Sequence, residues 1–231
     1  MITTIVKSIS TLIELIKIEK EAPDTYTFKF KAPENIKWTA GSYAHFLGSD
    51  LQNGKKLDKE LVRELSIMSH PDEEFIGFTT RIRQNPSKFK QTMLNIKVGD
   101  KIRLFKVGNH LNKQNTDKPI VFISMGVGIA TFRPLILDYI KNSTSSLSIT
   151  NINIDRSGNF VYQKELEKLP ENKINNIFVL NRNELHSAIK QCINNKENIY
   201  YVVGSTEFNK SIGDYLVENN ISTKAIIFDK H

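Results

Sequence analysis

The sequence predicts two domains: an N-terminal antiparallel β domain, barrel or sandwich, and a C-terminal α/β domain with a five-stranded parallel sheet. Three observations predict this. The first half carries short apolar pieces, some in strict alternation, cut by frequent turn residues. The second half alternates apolar strand-like runs with helix-like segments. A polar stretch from Gly108 to Lys118 separates the halves and sets the expected domains at 1–113 and 118–231.

In the first half, Thr25-Tyr26-Thr27-Phe28-Lys29-Phe30-Lys31 alternates polar and aromatic residues, the period of a half-buried strand. Lys101-Ile102-Arg103-Leu104 repeats the alternation after the turn-like Gly99-Asp100, and shorter apolar pieces fall at 43–47, 66–68 and 75–82. Ala32-Pro33-Glu34-Asn35, Asn53-Gly54 and His70-Pro71-Asp72 read as turns. Phe89, Met93 and Leu94 follow helical spacing within 87–94. In the second half, strands are expected at 120–124, 147–154, 177–180, 199–203 and 225–228. Helices are expected at 132–141, 162–169, 184–194 and 207–218, the last behind Ser205 or Thr206 as N-cap. Strands joined by helices imply a parallel sheet with right-handed crossovers, whose ligands lie at the carboxyl ends of the strands.

Composition narrows the function classes. Hydrophobic residues at 39% and charged residues at 25% describe an ordinary globular chain of 231 residues. No apolar run reaches the roughly 18 residues that span a bilayer. The first residues lack the pattern of a signal peptide, so a cytoplasmic protein without an integral membrane segment is expected. Cys192 is the only cysteine, which excludes an internal disulfide, a Cys-rich zinc site and a four-cysteine iron–sulfur cluster. Redox chemistry would then need an organic cofactor or an external partner. The net charge of +7 comes from scattered lysines, a solvated basic surface that suits an acidic protein or a phosphorylated cofactor better than nucleic acid.

The chemistry-bearing segments come in order. Met125-Gly126-Val127-Gly128-Ile129-Ala130-Thr131-Phe132-Arg133-Pro134 follows an apolar strand, and glycines at such a strand-to-helix turn admit a phosphate to free N–H groups. Thr131 stands where the dinucleotide fingerprint needs its third glycine. Upstream lies Arg63-Glu64-Leu65-Ser66-Ile67-Met68-Ser69, preceded by Trp38-Thr39-Ala40-Gly41-Ser42-Tyr43-Ala44 and followed by Ser87-Lys88-Phe89-Lys90 and Val98-Gly99-Asp100. Tyr201-Val202-Val203-Gly204-Ser205 comes last.

Together these resemble the ferredoxin–NADP⁺ reductase family, in family order and over nearly the whole chain. The resemblance implies an FAD-binding antiparallel β-barrel followed by an NAD(P)-binding α/β domain. It implies that Arg63 forks onto the flavin diphosphate, that Leu65 and Ile67 line the flavin segment, and that Ser66 acts catalytically near flavin N5. Thr80 and Arg81 would contact the ribityl chain or diphosphate. Ser87 would serve as phosphate ligand, helix cap or both. Gly126 and Gly128 would admit the NAD(P)H diphosphate, and Thr131 and Arg133 would frame the nicotinamide end, unless Arg133 pairs with a carboxylate such as Asp138. Gly204 would face the nicotinamide or serve as a plain turn glycine. Arg156 and Ser157 would take the 2′-phosphate of NADPH, whereas Asp155 would suit the free 2′-hydroxyl of NADH. Tyr43 and His45 read as packed strand residues.

The chain also departs from the family. Leu65 replaces the usual tyrosine, Thr131 a proline, and Val203 a cysteine. Only His231 approximates the C-terminal aromatic lid. The resemblance implies a flavoprotein oxidoreductase that passes electrons from NADPH or NADH through FAD to an external acceptor, such as ferredoxin or flavodoxin. Two alternatives are a flavin reductase that releases reduced flavin, and a non-catalytic electron-transfer or regulatory subunit.

Overall fold

The computed structural model describes residues 9–48, 57–111, 118–142 and 148–229. The chain divides into two compact units, residues 1–110 and 111–231.

Unit 1 is an antiparallel β-barrel. Its strands are β1 (Thr11–Ala22), β2 (Thr25–Lys31), β3 (Ser42–Leu47), β4 (Val62–Ser66), β5 (Phe75–Arg81) and β6 (Lys101–Asn109), in the sheet order β4-β3-β6-β1-β2-β5. The two outer strands meet where the Met68 N–H, just past β4, donates to the Gly77 carbonyl of β5 at 2.9 Å. Alternation decides the inner face: Phe28, Phe30, Phe46 and Phe78 point inward and pack ring on ring, with Phe46 and Phe78 centroids 4.7 Å apart. Helix α1 (Lys88–Asn95) adds Phe89 and Met93, four residues apart and so on one helix face, to this core.

Two local expectations give way in unit 1. The strand expected at 66–68 lies earlier, because β4 pairs Val62 through Ser66 with Leu47 through Tyr43. The long strand β1 goes unforeseen: Leu12, Ile16 and Ile18 are exposed while Ile13 and Leu15 are buried, so apolar residues occupy both faces and blur the period. The turn expected at Asn53-Gly54 lies outside the described residues.

Unit 2 is a five-stranded parallel sheet in the order β11-β10-β7-β8-β9. Its strands are β7 (Ile120–Met125), β8 (Ile149–Ile154), β9 (Ile174–Val179), β10 (Ile199–Val203) and β11 (Ile226–Phe228). Between them run α2 (Ile129–Asn142), α3 (Gln163–Leu166), α4 (Arg182–Cys192) and α5 (Thr206–Glu218). Asn181 and Ser205 cap α4 and α5 through their side chains, accepting from Glu184 N–H and Phe208 N–H. The helix expected over 162–169 shortens to four residues. Tyr162 takes a left-handed φ of 60° at its start, and Pro170 disfavours helical backbone at Leu169 before it. The chain winds from β7 out to β9, then crosses back to β10 on the other flank of β7. The switch point therefore lies over the carboxyl ends of β7 and β10.

Candidate functional site

The first cluster belongs to unit 1. Register places Arg63 opposite Phe46 and Leu65 opposite Ala44, so both lie on the core side of β4; Ser66 stands opposite Tyr43 on the other face. Ile67 is 1% exposed, and its N–H donates to Ser42 O, so it is a core residue. Thr80 is buried in β5, and Arg81 reaches Thr25 Oγ1 with its Nε at 3.3 Å. Lys90, on the first turn of α1, donates its ammonium to Arg81 O at 2.7 Å. Burial, then the Arg63 charge and the Arg83 charge, hold the Lys90 amine below the ordinary lysine range.

Arg63 and Arg83 thus act on the charge of Lys90 on the first turn of α1, and none of these three has a carboxylate partner among the described residues. Ser87, at the N-cap position, makes no side-chain cap bond, and its buried Oγ has no partner. The neighbouring Lys88 is occupied differently, in an ion pair with Asp58 that ties the 3-10 turn Lys59–Leu61 to α1. Like charges held together beside a buried, unsatisfied hydroxyl and the open N–H groups of a helix start suit a dianion. A flavin diphosphate fits this donor set. Arg83 was not singled out in the sequence, and Lys90 was read only within the Ser87–Lys90 segment, since no motif marks residues that converge only through folding.

On the opposite face, Tyr43 stacks on His110 with centroids 4.3 Å apart, and His45 meets Phe105 edge-on. Gly108 permits that stack, because a Cβ there would lie 2.5 Å from the Tyr43 ring. His45 Nδ1 lies 3.2 Å from Glu64 Oε2, without hydrogen-bond geometry. Tyr43 and His45 are packed strand residues.

The second cluster lies at the switch point of unit 2. After β7 the chain makes a 3-10 turn, Gly126–Gly128, and enters α2 directly. Gly126 has φ 56°. Gly128 lies against the end of β10, where a Cβ would come within 3.0 Å of Val203 O. Asn153 of β8, fully buried, fixes the turn from beneath: its Nδ2 donates to Ser124 Oγ at 2.8 Å, Gly126 O at 3.2 Å and Ser124 O at 3.3 Å. The signal for Asn153 was an asparagine between isoleucines within a strand. At Gly204 the packing need is plain, because a Cβ would sit 2.3 Å from the Phe208 ring.

Thr131 and Arg133 both turn inward, at 5% and 6% exposure. Arg133 does pair with a carboxylate, that of Glu165: its Nε and Nη2 reach the two carboxylate oxygens at 2.9 and 2.6 Å. The guanidinium also lies over the Tyr162 ring, 5.6 Å from its centroid. After β8, Asp155 Oδ1 accepts from both the N–H and the hydroxyl of Ser157. Ser157 is thereby engaged in its own loop, while Arg156 is exposed beside it. The C-terminal His231 lies outside the described residues. Among the described residues no group of three or more His, Cys, Asp or Glu side chains is placed to hold a metal ion, and no helix is long and apolar enough to cross a membrane.

Each unit has a fold like that of solved ferredoxin–NADP⁺ reductases, an antiparallel barrel and a parallel α/β sheet, as the motif resemblance implied. The ferredoxin–NADP⁺ reductase from Plasmodium falciparum, solved with 2′P-AMP, superposes with a TM-score of 0.80 over 96% of each chain at 18% identity. The flavohemoglobin from Malassezia yamatoensis, solved with bound FAD and heme, gives 0.75 at 13% identity over 96% of this chain and 60% of that one. In sequence, the chain is similar to the F subunit of the Na⁺-translocating NADH-quinone reductase. It is 29% identical over 144 residues to the Pseudoalteromonas haloplanktis protein, covering 58% of this chain and 46% of that one. For Colwellia psychrerythraea the identity is 28% over 137 residues, 55% and 44% of the two chains. The chain spans less than half the length of these relatives. No protein-family model matches.

Proposed function

We propose that the chain is an NAD(P)H-dependent flavoprotein oxidoreductase, with FAD held by unit 1 and the nicotinamide nucleotide by unit 2. The carrying observation is the donor set at α1: a buried N-cap hydroxyl, Ser87, without a hydrogen-bond partner, and Lys90 on the first turn under the charges of Arg63 and Arg83. Those residues would hold the diphosphate, with Arg63 offering its planar fork. An FAD held there would supply the redox chemistry, as acceptor of a hydride and donor of electrons. Ser66 would place a donor at the flavin edge, and the Gly126–Gly128 turn would receive the nucleotide diphosphate on its N–H groups. No side chain has to act as general acid or base. The relatives' name favours NADH as reductant and a larger assembly as the setting. The external acceptor we favour is an acidic carrier such as ferredoxin or flavodoxin, drawn by the net charge of +7.

The deciding experiment is an anaerobic spectral titration of the FAD-loaded protein with NADH and with NADPH. Bleaching by either nucleotide supports the proposal. Failure to bind flavin refutes it, and bound flavin that neither nucleotide bleaches replaces the enzyme with a non-catalytic flavoprotein. Leu65 favours one second reading, a reductase that treats flavin as a dissociable substrate, because an aliphatic side chain offers no ring to stack on the isoalloxazine. Flavin that washes away on desalting, yet is reduced in turnover, would establish that reading.

A further inference from the structure

The structure assigns a positioning role to the Arg133–Glu165 pair: it holds the loop after β8 in shape beside the glycine turn, and Arg133 is not itself a nucleotide ligand. This rests on the reading of unit 2 as the nucleotide site. Three observations on different elements carry it. The guanidinium of Arg133, in the second turn of α2, is buried and gives two nitrogens to the two oxygens of Glu165 on α3, a matched fork that a phosphate would have to break. Its face covers Tyr162, which is itself buried and held in the left-handed region where a bulky residue rarely sits. At the other end of the loop Asp155 closes a turn on Ser157, and Gly158 follows with φ 70°.

The loop is therefore pinned twice, by Asp155 at the end of β8 and by the ion pair at the start of α3. The helix it is pinned to is the one that the glycine turn opens. Exposed Arg156 rides between these anchors, next to the carboxyl ends of β7 and β8. A ligand lying across that rim meets the loop as its side wall. The pair would thus set nucleotide affinity through the shape of the wall, and leave the chemical step alone.

The test uses the full FAD-loaded chain with Arg133→Gln, Glu165→Gln and the double variant. Flavin bleaching is followed by anaerobic stopped flow over a range of NADH and of NADPH concentrations. Each single variant should raise the half-saturating nucleotide concentration about tenfold and change the limiting rate by less than about twofold, because only ground-state positioning is lost. The double variant should match the singles, since both remove one device. Glu165→Gln leaves the Arg133 charge in place, so a variant that binds nucleotide as well as or better than the wild type overturns the proposal. A reduced limiting rate with unchanged half-saturation also overturns it. A second readout needs no turnover: amide hydrogen exchange over residues 155–165 should quicken in each single variant, and unchanged exchange refutes the pinning. Where Arg133→Gln fails to fold, Arg133→Lys keeps the charge but loses the fork, and should shift half-saturation the same way; no shift counts against the pair. Wild-type flavin that neither nucleotide bleaches refutes the proposed function, whereas the exchange result then judges the pinning by itself.

Discussion

Ser87 occupies the N-cap position of α1 without capping: its Oγ is buried and bonds to nothing. Replacing it should cost the empty fold little, because no cap bond is lost. Ser87→Ala is accordingly expected to leave the apo melting temperature unchanged while weakening FAD binding, by fluorescence titration. Arg63→Ala should weaken it more, about 10–100-fold, as charge-assisted hydrogen bonds contribute about 1.5–3 kcal/mol; retained tight binding would remove Arg63 from the site. His45 gives a pH prediction. Burial lowers its imidazole below the ordinary histidine range, Glu64 pulls it back up, and Lys106 pushes it down again. The folded state then binds fewer protons than the unfolded chain just below that range. Stability is complete above it and declines as pH falls through it toward the depressed value. Denaturant midpoints between mildly alkaline and mildly acidic pH should show this decline, and His45→Gln should flatten it.

At the scale of elements, the glycine turn is shaped by its neighbours as much as by its glycines. Asn153 reaches from β8 to three oxygens at the end of β7 and in the turn. Removing it leaves buried carbonyls without a donor, a cost of about 1–3 kcal/mol. Asn153→Ala should lower the urea midpoint and weaken nucleotide binding together, whereas an equal truncation at Asn151, whose Nδ2 meets only Asn176 of β9, should affect stability alone. Most elements of unit 2 were legible in the sequence because apolar strands and amphipathic helices alternate cleanly there. The exceptions have local causes. Helix α3 is cut short by the Tyr162 backbone and by Pro170. The long strand β1 was hidden by apolar residues on both of its faces.

For the whole molecule, charge and topology set the expectations. Lysines and arginines outnumber acids by 32 to 25, so an acidic carrier should be reduced more slowly as ionic strength rises, while an uncharged quinone should not respond. Equal salt dependence for both acceptors would count against electrostatic docking. The order of motifs along the chain was enough to predict a barrel followed by a parallel sheet, and it made Arg63, Ser87, Gly126 and Gly128 the candidate ligands. Periodicity and turn chemistry are properties of neighbouring residues, so a linear reading captures them. What only tertiary structure decided was convergence. Lys90 comes under the charges of Arg63 and Arg83 because α1 packs its Phe89 and Met93 into the barrel core, Asn153 finds the turn because β8 lies beside β7, and Arg133 bonds Glu165, 32 residues away. Such pairings follow from which surfaces fold against each other, and no local spacing encodes them.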